Sequence, residues 1–375
     1  MTHSLLNPPL SASPPSGAPL APPALPTELK ELRLGDLRLE FPVVQAALSG
    51  YSDWAMRVIA RRLGAPYTLC EVMLDKFLIE MSHTKKNRKR MRVTDEEHPV
   101  GGQLMGAVPE DFGPAALRLV EAGFDVIDIN FGCPVKKVLG RCRGGFHLSQ
   151  PAVALEIVAR VRAAVPPRIP VTVKMRRGLD DSAASRDNFF TIFEGAFERG
   201  AVAITVHGRT VEQRYIGPSR WAFLRELKAL YPDRMILGSG DLFTAADCLA
   251  MLHETGVDGV TAARGAIGNP WIFSQARVLA AGGPLPDPPS LFEQRRIIAE
   301  HYRLAEQIYG AEVCGRQMRK FGIKYSKLHP QATLVRDAFV AVRRPQELPA
   351  VLERFYAKDL PGVHPNDMDE IRECD

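Results

Sequence analysis

The chain has 375 residues, of which 46% are hydrophobic and 24% are charged. That much apolar sequence can bury a sizeable core, which excludes an intrinsically disordered protein. The sequence contains no run of about 18 apolar residues, which excludes a membrane-spanning helix. The net charge of +5 is a mild excess that permits a polyanionic partner without requiring one.

The six cysteines are sparse, and no two of them form a C-x-x-C pair. Structural zinc sites and thioredoxin-like redox sites use such pairs, so we predict no metal site. Few and unpatterned thiols are typical of a reducing compartment, and we therefore expect a cytoplasmic protein.

Residues 1–30 form a leader rich in Pro and Ala, with eight prolines among the first 27 residues. Proline fixes φ and lacks the amide donor, so this segment cannot form a helix or a central strand. We predict that the leader is disordered or polyproline-like.

Residues 36–283 alternate between short apolar runs and longer helical stretches. Helices are predicted between the runs, for example over 109–122 and 149–165. Eight runs are predicted strands: 42–48, 67–73, 100–105, 126–132, 170–176, 203–209, 235–240 and 259–264. Apolar strands separated by helices are typical of a parallel sheet covered by helices, and eight such units favour a closed barrel. The predicted fold class is therefore α/β, a (β/α)₈ TIM barrel.

A Gly/Pro-rich linker at 282–289 precedes residues 290–358. In 290–358 the apolar strand runs stop, and the apolar residues recur at helical spacing. We predict a small all-α C-terminal domain there. It carries thirteen Lys and Arg against seven Asp and Glu, whereas the tail 359–375 carries six acids and one Arg. Two more basic runs occupy 85–92 and 136–143. A basic helical module beside a basic barrel mouth predicts an RNA-binding surface.

In such a barrel the active site lies where strands end and loops begin. Polar residues occupy six of the predicted strand ends, which packing does not explain, because buried polar groups destabilise a fold unless they are partnered. They are Gln103, Asn130, Cys133, Lys174, Arg176, His207, Arg209, Ser239, Asp241 and Arg264. Gly240 and Gly265 would let backbone amides approach a phosphate after strands seven and eight. Lys174 would neutralise the negative charge of a reduced flavin.

Six motifs occur in order along the chain: A-L-S-G-Y-S-D, G-Q-L-M-G, D-I-N-F-G-C-P-V-K-K-V, V-K-M-R, V-H-G-R-T and A-R-G-A-I-G-N-P-W-I-F. In this order and spacing they resemble the tRNA-dihydrouridine synthase family, particularly its bacterial B-type members. The resemblance covers roughly residues 38–358 and includes the basic helical segment.

The resemblance implies an FMN-dependent TIM-barrel enzyme that reduces a uridine of folded tRNA to 5,6-dihydrouridine with electrons from NADPH. The uridine would be flipped out of its stack into the barrel mouth. Reduced flavin would deliver hydride from N5 to uracil C6, and a cysteine would protonate C5. By position in the motif, that cysteine is Cys133, whose ordinary thiol pKa keeps it protonated at neutral pH.

The resemblance also implies roles for the other motif residues. The substrate-binding residues would be Asn130, Lys137 and Arg209. The cofactor-binding residues would be Gln103, Lys174, His207, Ser239, Gly240, Asp241, Ala263, Arg264 and Gly265. Ser239 stands where the family usually has the longer Asn. The loop after Cys133 has extra arginines and His147, and we expect that loop to touch RNA.

Three alternatives remain open. In the first, the enzyme carries out the same reduction on another RNA such as rRNA. In the second, it is a flavin enzyme that reduces a free pyrimidine. The basic C-terminal segment argues against the free base, which needs no polyanion platform. A third alternative, an RNA-binding protein without activity, is disfavoured by the presence of Cys133, Lys174, His207 and Arg209. The sequence predicts neither the modified position nor the oligomeric state.

Overall fold

A short antiparallel hairpin opens the described part of the chain. The computed structural model describes residue 29 and residues 31–81, 91–344 and 346–365, so the predicted leader up to residue 28 and the basic run at 85–90 lie outside the described residues. The strands β1 (Leu32–Leu34) and β2 (Leu37–Leu39) pair around Gly35, whose φ of +62° glycine adopts without steric cost. The hairpin leucines pack against barrel-strand residues such as Val126 and Ala203, at the amino-terminal ends of those strands. Sequence reasoning missed this hairpin.

Eight parallel strands close into a barrel, which confirms the predicted fold. In chain order they are β3 (Val43–Gln45), β4 (Thr68–Leu69), β6 (Val100–Met105), β7 (Val126–Phe131), β8 (Val171–Arg176), β9 (Ala203–His207), β10 (Ile236–Ser239) and β11 (Gly259–Ala262). Each strand pairs with the next, and β11 pairs back with β3. A two-residue strand, β5 (Met73–Leu74), pairs with the end of β6. Every predicted strand contains an observed one.

Helices between the strands cover the outside of the barrel. They are α1 (Trp54–Arg62), α2 (Asp75–Glu80), α3 (Pro109–Glu121), α4 (Lys136–Leu139), α5 (Pro151–Ala164), α6 (Ala183–Glu198), α7 (Trp221–Leu230), α8 (Ala245–Thr255) and α9 (Ile272–Ala280). The helices α3 and α5 confirm those predicted at 109–122 and 149–165. Both begin with proline, whose missing N–H has no partner to lose in the first helical turn.

In the part of the chain that the structure describes, four helices follow the barrel and confirm the predicted helical C-terminal region. They are α10 (Leu291–Tyr309), α11 (Ala311–Tyr325), α12 (Ala332–Ala341) and α13 (Glu347–Phe355). The helix α10 packs along α1, where the Tyr309 hydroxyl donates to Asp53 Oδ2 at 2.7 Å and Glu300 pairs with Arg62. One apolar core runs from the barrel into these helices. The helical region is therefore docked on the barrel, and its status as a separate RNA-binding domain stays a prediction.

The predicted acidic tail, 359–375, begins within the described residues. The N–H of Leu291 donates to the carbonyl of Leu360, and the N–H of Val363 donates to that of Leu328, both at 2.9 Å. Residues 360–363 thus lie against the helices, while residues 366–375 lie outside the described part.

Within the described ranges, no helix is both long enough and apolar enough to cross a membrane. The same residues contain no group of three or more His, Cys, Asp or Glu side chains placed to hold a metal ion.

Candidate active site

A cavity of about 520 Å³ opens at the carboxyl ends of the barrel strands, where the sequence predicted the site. Three predicted residues, Lys137, Arg209 and Gly265, do not line it. Ten others do: Gln103, Asn130, Cys133, Lys174, His207, Ser239, Gly240, Asp241, Ala263 and Arg264. The barrel therefore brings together most of the predicted residues from six different strands.

Cys133 lies two residues after the end of β7, and the side chain of Asn130 holds its backbone. Asn130 Oδ1 accepts from the backbone N–H of Gly132 at 3.0 Å and of Cys133 at 3.1 Å. Asn130 Nδ2 donates in turn to Gln103 Oε1 on the neighbouring β6 at 2.8 Å. These directional bonds determine where the Cys133 Cα lies on the cavity wall.

A 3₁₀ turn over Gly144–Ser149 packs behind Cys133. A Cβ on Gly144 would lie only 2.8 Å from the Cβ of Cys133, so the close approach requires glycine. The N–H of Gly145 donates to the carbonyl of Cys133 at 3.1 Å. His147, which we expected at an RNA-contacting loop, is instead buried, with Nε2 3.0 Å from the Gly106 carbonyl.

The Cys133 thiol is half-buried, and this burial raises its pKa above the ordinary value. The N–H of Val135 and the charge of Arg176 act in the opposite direction without cancelling the effect. A thiol with a raised pKa keeps its proton at neutral pH, so Cys133 is suited to donate a proton rather than to attack as a thiolate.

Two cations come from β8 to the cavity wall, Lys174 and Arg176. Burial lowers the pKa of Lys174 to about 8, although the nearby Asp128 carboxylate acts to raise it. Burial also lowers the pKa of Arg176 to about 10, and its Nε is held by the Gly132 carbonyl at 3.0 Å. Both groups are protonated at neutral pH, and their positive charge favours an anionic or electron-rich ligand.

His207, at the end of β9, is a neutral imidazole. Burial lowers its pKa well below 6.5, and the cations of Arg176, Lys174, Arg209 and Arg264 act in the same direction. Its Nδ1 accepts the backbone N–H of Arg209 at 3.1 Å, which places the ring proton on Nε2. His207 therefore supplies an N–H donor without a charge.

Arg209 is buried beside the rim rather than on the cavity wall. Its Nε and Nη2 donate to the Gly217 carbonyl at 2.8 and 2.5 Å, and Nη2 also reaches Asp241 Oδ2 at 2.8 Å. Asp241 accepts the N–H of Ser219 at 2.7 Å and pairs with Arg264 at 3.5 Å. In this structure Arg209 thus holds the loop after β9 to Asp241, whereas the sequence predicted that it contacts the substrate.

Two other predicted residues also lie outside the cavity wall. Lys137 is exposed on the short helix α4, two residues after the cavity-lining Val135. Gly265 packs behind the wall, where an added Cβ would lie 2.3 Å from the Leu242 carbonyl oxygen. The close packing of two loops therefore requires glycine at 265, and its predicted contact with a phosphate stays a prediction.

Comparison with known proteins agrees with this geometry. A family model described as "Dihydrouridine synthase (Dus)" matches residues 44–359. The chain belongs to the dihydrouridine synthase family. The matched range begins within β3 and includes the rest of the barrel and all of α10 to α13, and it confirms the resemblance drawn from the motifs.

Curated members of the dihydrouridine synthase family match along most of their length. A probable tRNA-dihydrouridine synthase of Mycobacterium tuberculosis is 34% identical over 333 residues, covering 86% of this chain and 84% of that protein. The tRNA-dihydrouridine synthase B of Xanthomonas campestris pv. campestris is 32% identical over 335 residues, covering 89% of this chain and 98% of that protein.

Solved structures similar to this dihydrouridine synthase are more distant and support the fold alone. Histamine dehydrogenase from Rhizobium sp. 4-9 matches with a TM-score of 0.53 at 15% identity, over 73% of this chain and 50% of that one. Morphinone reductase in complex with tetrahydroNAD matches with a TM-score of 0.51 at 15% identity, over 69% of this chain and 92% of that one.

Arg176 and Tyr215 also line the cavity of this dihydrouridine synthase, although no binding role was predicted for either. Arg176 was among the polar residues of the predicted strand ends, and since side chains alternate along a strand it faces the same side as Lys174. Tyr215 lies in the loop after β9, with its ring 4.9 Å from the guanidinium carbon of Arg264 and 5.6 Å from that of Arg176. No local pattern marks Tyr215, because only the tertiary fold brings its loop to the two arginines.

Proposed function

We propose that this chain reduces a uridine of tRNA to 5,6-dihydrouridine, with FMN as cofactor and NADPH as the source of electrons. The observation that carries the proposal is the position of the Cys133 thiol on the wall of a cavity that Lys174 and Arg176 also line. The two curated relatives are named as tRNA-dihydrouridine synthases, which supports an RNA substrate.

The side chains of the cavity fit an anionic, planar cofactor such as FMN. Lys174, Arg176 and Arg264 supply positive charge, and His207 supplies a neutral donor. The hydroxyl of Thr261 is buried on the same wall and has no hydrogen-bond partner among the described residues. A polar group of a bound ligand would provide that partner.

We assign the flavin ring to Gln103, Lys174 and His207. Bound FMN would supply, through N5, the hydride equivalent that uracil C6 receives. The phosphate side of FMN is assigned to the loops after β10 and β11, at Ser239, Gly240, Asp241, Ala263, Arg264 and Gly265. Loops after the last two strands of such barrels commonly bind phosphate.

Cys133 supplies the proton that completes the reduction. Saturating the C5–C6 double bond of uracil adds one hydride and one proton, and the Cys133 S–H gives its proton to C5. The resulting thiolate regains a proton from solvent. Since burial raises the pKa of this thiol, the proton is present at neutral pH, and Asn130 keeps the Cys133 backbone in place. A positioned general acid of this kind accelerates a reaction about 10²–10⁴-fold.

The uracil itself is assigned to Asn130 and to a guanidinium of the rim. Contact with Arg209 would require that residue to release the Gly217 carbonyl, to which it donates twice. Arg176 lines the cavity, and its Nε and Nη1 donate to the carbonyls of Gly132, Thr210 and Arg214. We propose that Arg176 contacts the uracil through Nη2 and that Arg209 acts through Asp241.

The RNA around the uridine is assigned to the basic surfaces. A base in folded tRNA must leave its stack to reach the strand ends. Lys137 is exposed close to the cavity mouth, and the segment 290–358 carries thirteen Lys and Arg. These cations would bind phosphates, so affinity for tRNA should fall steeply with salt concentration.

The test is expression in cells that lack their own dihydrouridine synthases, followed by mapping of dihydrouridine in all cellular RNAs. We expect dihydrouridine in tRNA that an empty vector does not produce. If dihydrouridine were found only in rRNA, the substrate would be rRNA rather than tRNA. Its absence from all RNA, together with NADPH-dependent reduction of free uracil by the purified protein, would favour a free-pyrimidine reductase. Mass spectrometry of the released flavin tests whether the cofactor is FMN. The rates of anaerobic flavin reduction by NADPH and by NADH are compared to identify the electron donor.

A further inference from the structure

Asp128 is a carboxylate buried below the cavity, and the proposed reaction assigns it no role. It lies in the middle of β7 and is 2% exposed. Its register partners on the two neighbouring strands are Gln103 on β6 and Thr172 on β8. Because side chains alternate along a strand, Asp128 shares the inner face of β7 with Asn130, and Thr172 shares that of β8 with Lys174.

The Asp128 carboxylate accepts two short hydrogen bonds. The Thr172 hydroxyl donates to Oδ1 at 2.6 Å, and Gln103 Nε2 donates to Oδ2 at 2.7 Å. An ionised carboxylate only accepts, so the Gln103 amide must turn its NH₂ group toward Asp128 and its oxygen toward Asn130. Asn130 then turns its own NH₂ group to Gln103 and its oxygen to the backbone N–H of Cys133. The orientation of each amide therefore depends on the charge of Asp128.

The same carboxylate acts on Lys174. It raises the pKa of Lys174, against the larger effect of burial and against the charge of Arg176 on the same strand. Of the other groups near Lys174, His207 on β9 is neutral, and Ser239 on β10 accepts from the ammonium at 3.4 Å without carrying a charge. Burial raises the pKa of Asp128, while the bonds from Thr172 and Gln103 and the charge of Lys174 act to lower it.

We propose that Asp128 is a positioning residue for the reduction: its charge orients the Gln103–Asn130 amide chain that places Cys133, and the same charge attracts the Lys174 ammonium on the neighbouring strand. Asp128 reaches no ligand and acts through these residues. The inference rests on the proposed function, since it assumes that Cys133 delivers a proton.

Two substitutions separate this role from a structural one. In Asp128→Asn, the new NH₂ group can face Gln103, which reverses both amides and turns a donor toward the N–H of Cys133. Thr172→Val is the matched control, because it removes the other hydrogen bond to the same carboxylate and leaves both the charge and the Gln103 bond. A merely structural role predicts similar effects from both variants.

The first readout is the dissociation constant of FMN, measured by fluorescence between pH 6 and 10 on flavin-free protein. We expect wild-type affinity to weaken as the pH rises through about 8, where Lys174 loses its proton. Removing the anion destabilises protonated Lys174, so in Asp128→Asn the inflection should fall by about one pH unit, while Thr172→Val keeps the wild-type value.

The second readout is the single-turnover rate of tRNA reduction by the flavin-loaded, prereduced protein. We expect a loss of about tenfold or more in Asp128→Asn and of at most about twofold in Thr172→Val. An unshifted inflection, or equal rates for the two variants, overturns the proposal. If Asp128→Asn does not fold, Asp128→Glu provides the test. Glutamate keeps the charge, so the inflection should not change, but its longer side chain displaces the carboxylate from Gln103, so the rate should fall. A shifted inflection overturns the proposal. If wild type modifies no RNA, the proposed function fails, while the FMN readout still tests the link between Asp128 and Lys174.

Discussion

The two walls of the cavity are held by different forces. The wall from β6 to β8 presents Cys133, and neutral amides that end on Asp128 hold it through short hydrogen bonds. The wall from β9 to β11 is held by ion pairs, with Arg209 and Arg264 both on Asp241. Amide bonds are directional and place one atom accurately, whereas clustered charges attract an anion over a longer range. One barrel rim can thus separate proton delivery from anion binding.

Replacing the proton donor should have the largest effect. Cys133→Ala removes the acid and should lower the single-turnover rate of tRNA reduction by about 10³-fold, within the range for a lost general acid. Affinities for FMN and tRNA should stay within about threefold, since the amide chain holds the backbone rather than the thiol. Cys142→Ala, an exposed cysteine nine positions away, is the matched control and should retain the wild-type rate. Equal rates for wild type and Cys133→Ala would remove Cys133 from the mechanism.

The buried charge on the first wall should be visible in stability. Below pH 8, Lys174 is charged in both the folded and unfolded states, so the folded state bears the full cost of burying it. Between pH 8 and 10.5 only the unfolded state keeps the proton, and this cost disappears. We therefore expect flavin-free Lys174→Met to be more stable than wild type at neutral pH. That advantage should shrink by about 3 kcal/mol as the pH rises through this window.

Denaturant unfolding at a series of pH values measures the difference between Lys174→Met and wild type. The exposed Lys137→Met provides the matched control, and its difference from wild type should not depend on pH. If the difference in unfolding free energy between Lys174→Met and wild type did not depend on pH, interactions within the folded protein would offset the cost of burying the ammonium.

Removing a charge from the second wall should weaken cofactor binding without slowing proton transfer. Arg264 lies 4.8 Å from the ring of Phe243 and pairs with Asp241. In Arg264→Met the dissociation constant of FMN should rise about 10–100-fold, as expected for losing a hydrogen bond to a charged group. Arg264→Lys should recover part of the loss. At saturating FMN the single-turnover rate should stay near wild type, and a large fall in that rate would mean that the two walls are not independent.

The smallest effect should come from a long hydrogen bond between the two walls, which Arg176 also joins through shorter bonds to the carbonyls of Thr210 and Arg214. Lys174 Nζ donates to Ser239 Oγ at 3.4 Å, a long and weak hydrogen bond. At saturating FMN, which also compensates for the phosphate contact proposed for Ser239, Ser239→Ala should therefore change kcat/KM by at most about fivefold, since a weak bond contributes less than about 1 kcal/mol. The measurement is steady-state dihydrouridine formation with Ser219→Ala as a neighbouring control. A tenfold loss would show that the walls depend on each other through this contact.

Much of the fold could be predicted because its signals are local. The predicted bounds of β6 and β8 agree with the observed bounds to within one residue. This agreement follows because consecutive residues carry the pattern that distinguishes strands from helices. The short hairpin at 32–39 was missed, because its three-residue strands resemble turn sequence and acquire their meaning only by packing on the barrel. Cys133 could be assigned because its motif is contiguous, while Arg209 and Arg176 lie on different elements and their relative depth is not encoded by spacing.

Local sequence patterns were sufficient to predict the barrel, the helical region after it and the strand ends that supply the cavity. Periods of two and 3.6 residues decide which side chains face inward, and this information is carried by neighbours along the chain. Only the tertiary structure decided that Arg209 turns to Asp241, that Tyr215 reaches the cavity and that Asp128 connects through two amides to Cys133. Those arrangements depend on the register of adjacent strands and on hydrogen-bond directions between residues about 25 or more positions apart, which no local pattern specifies.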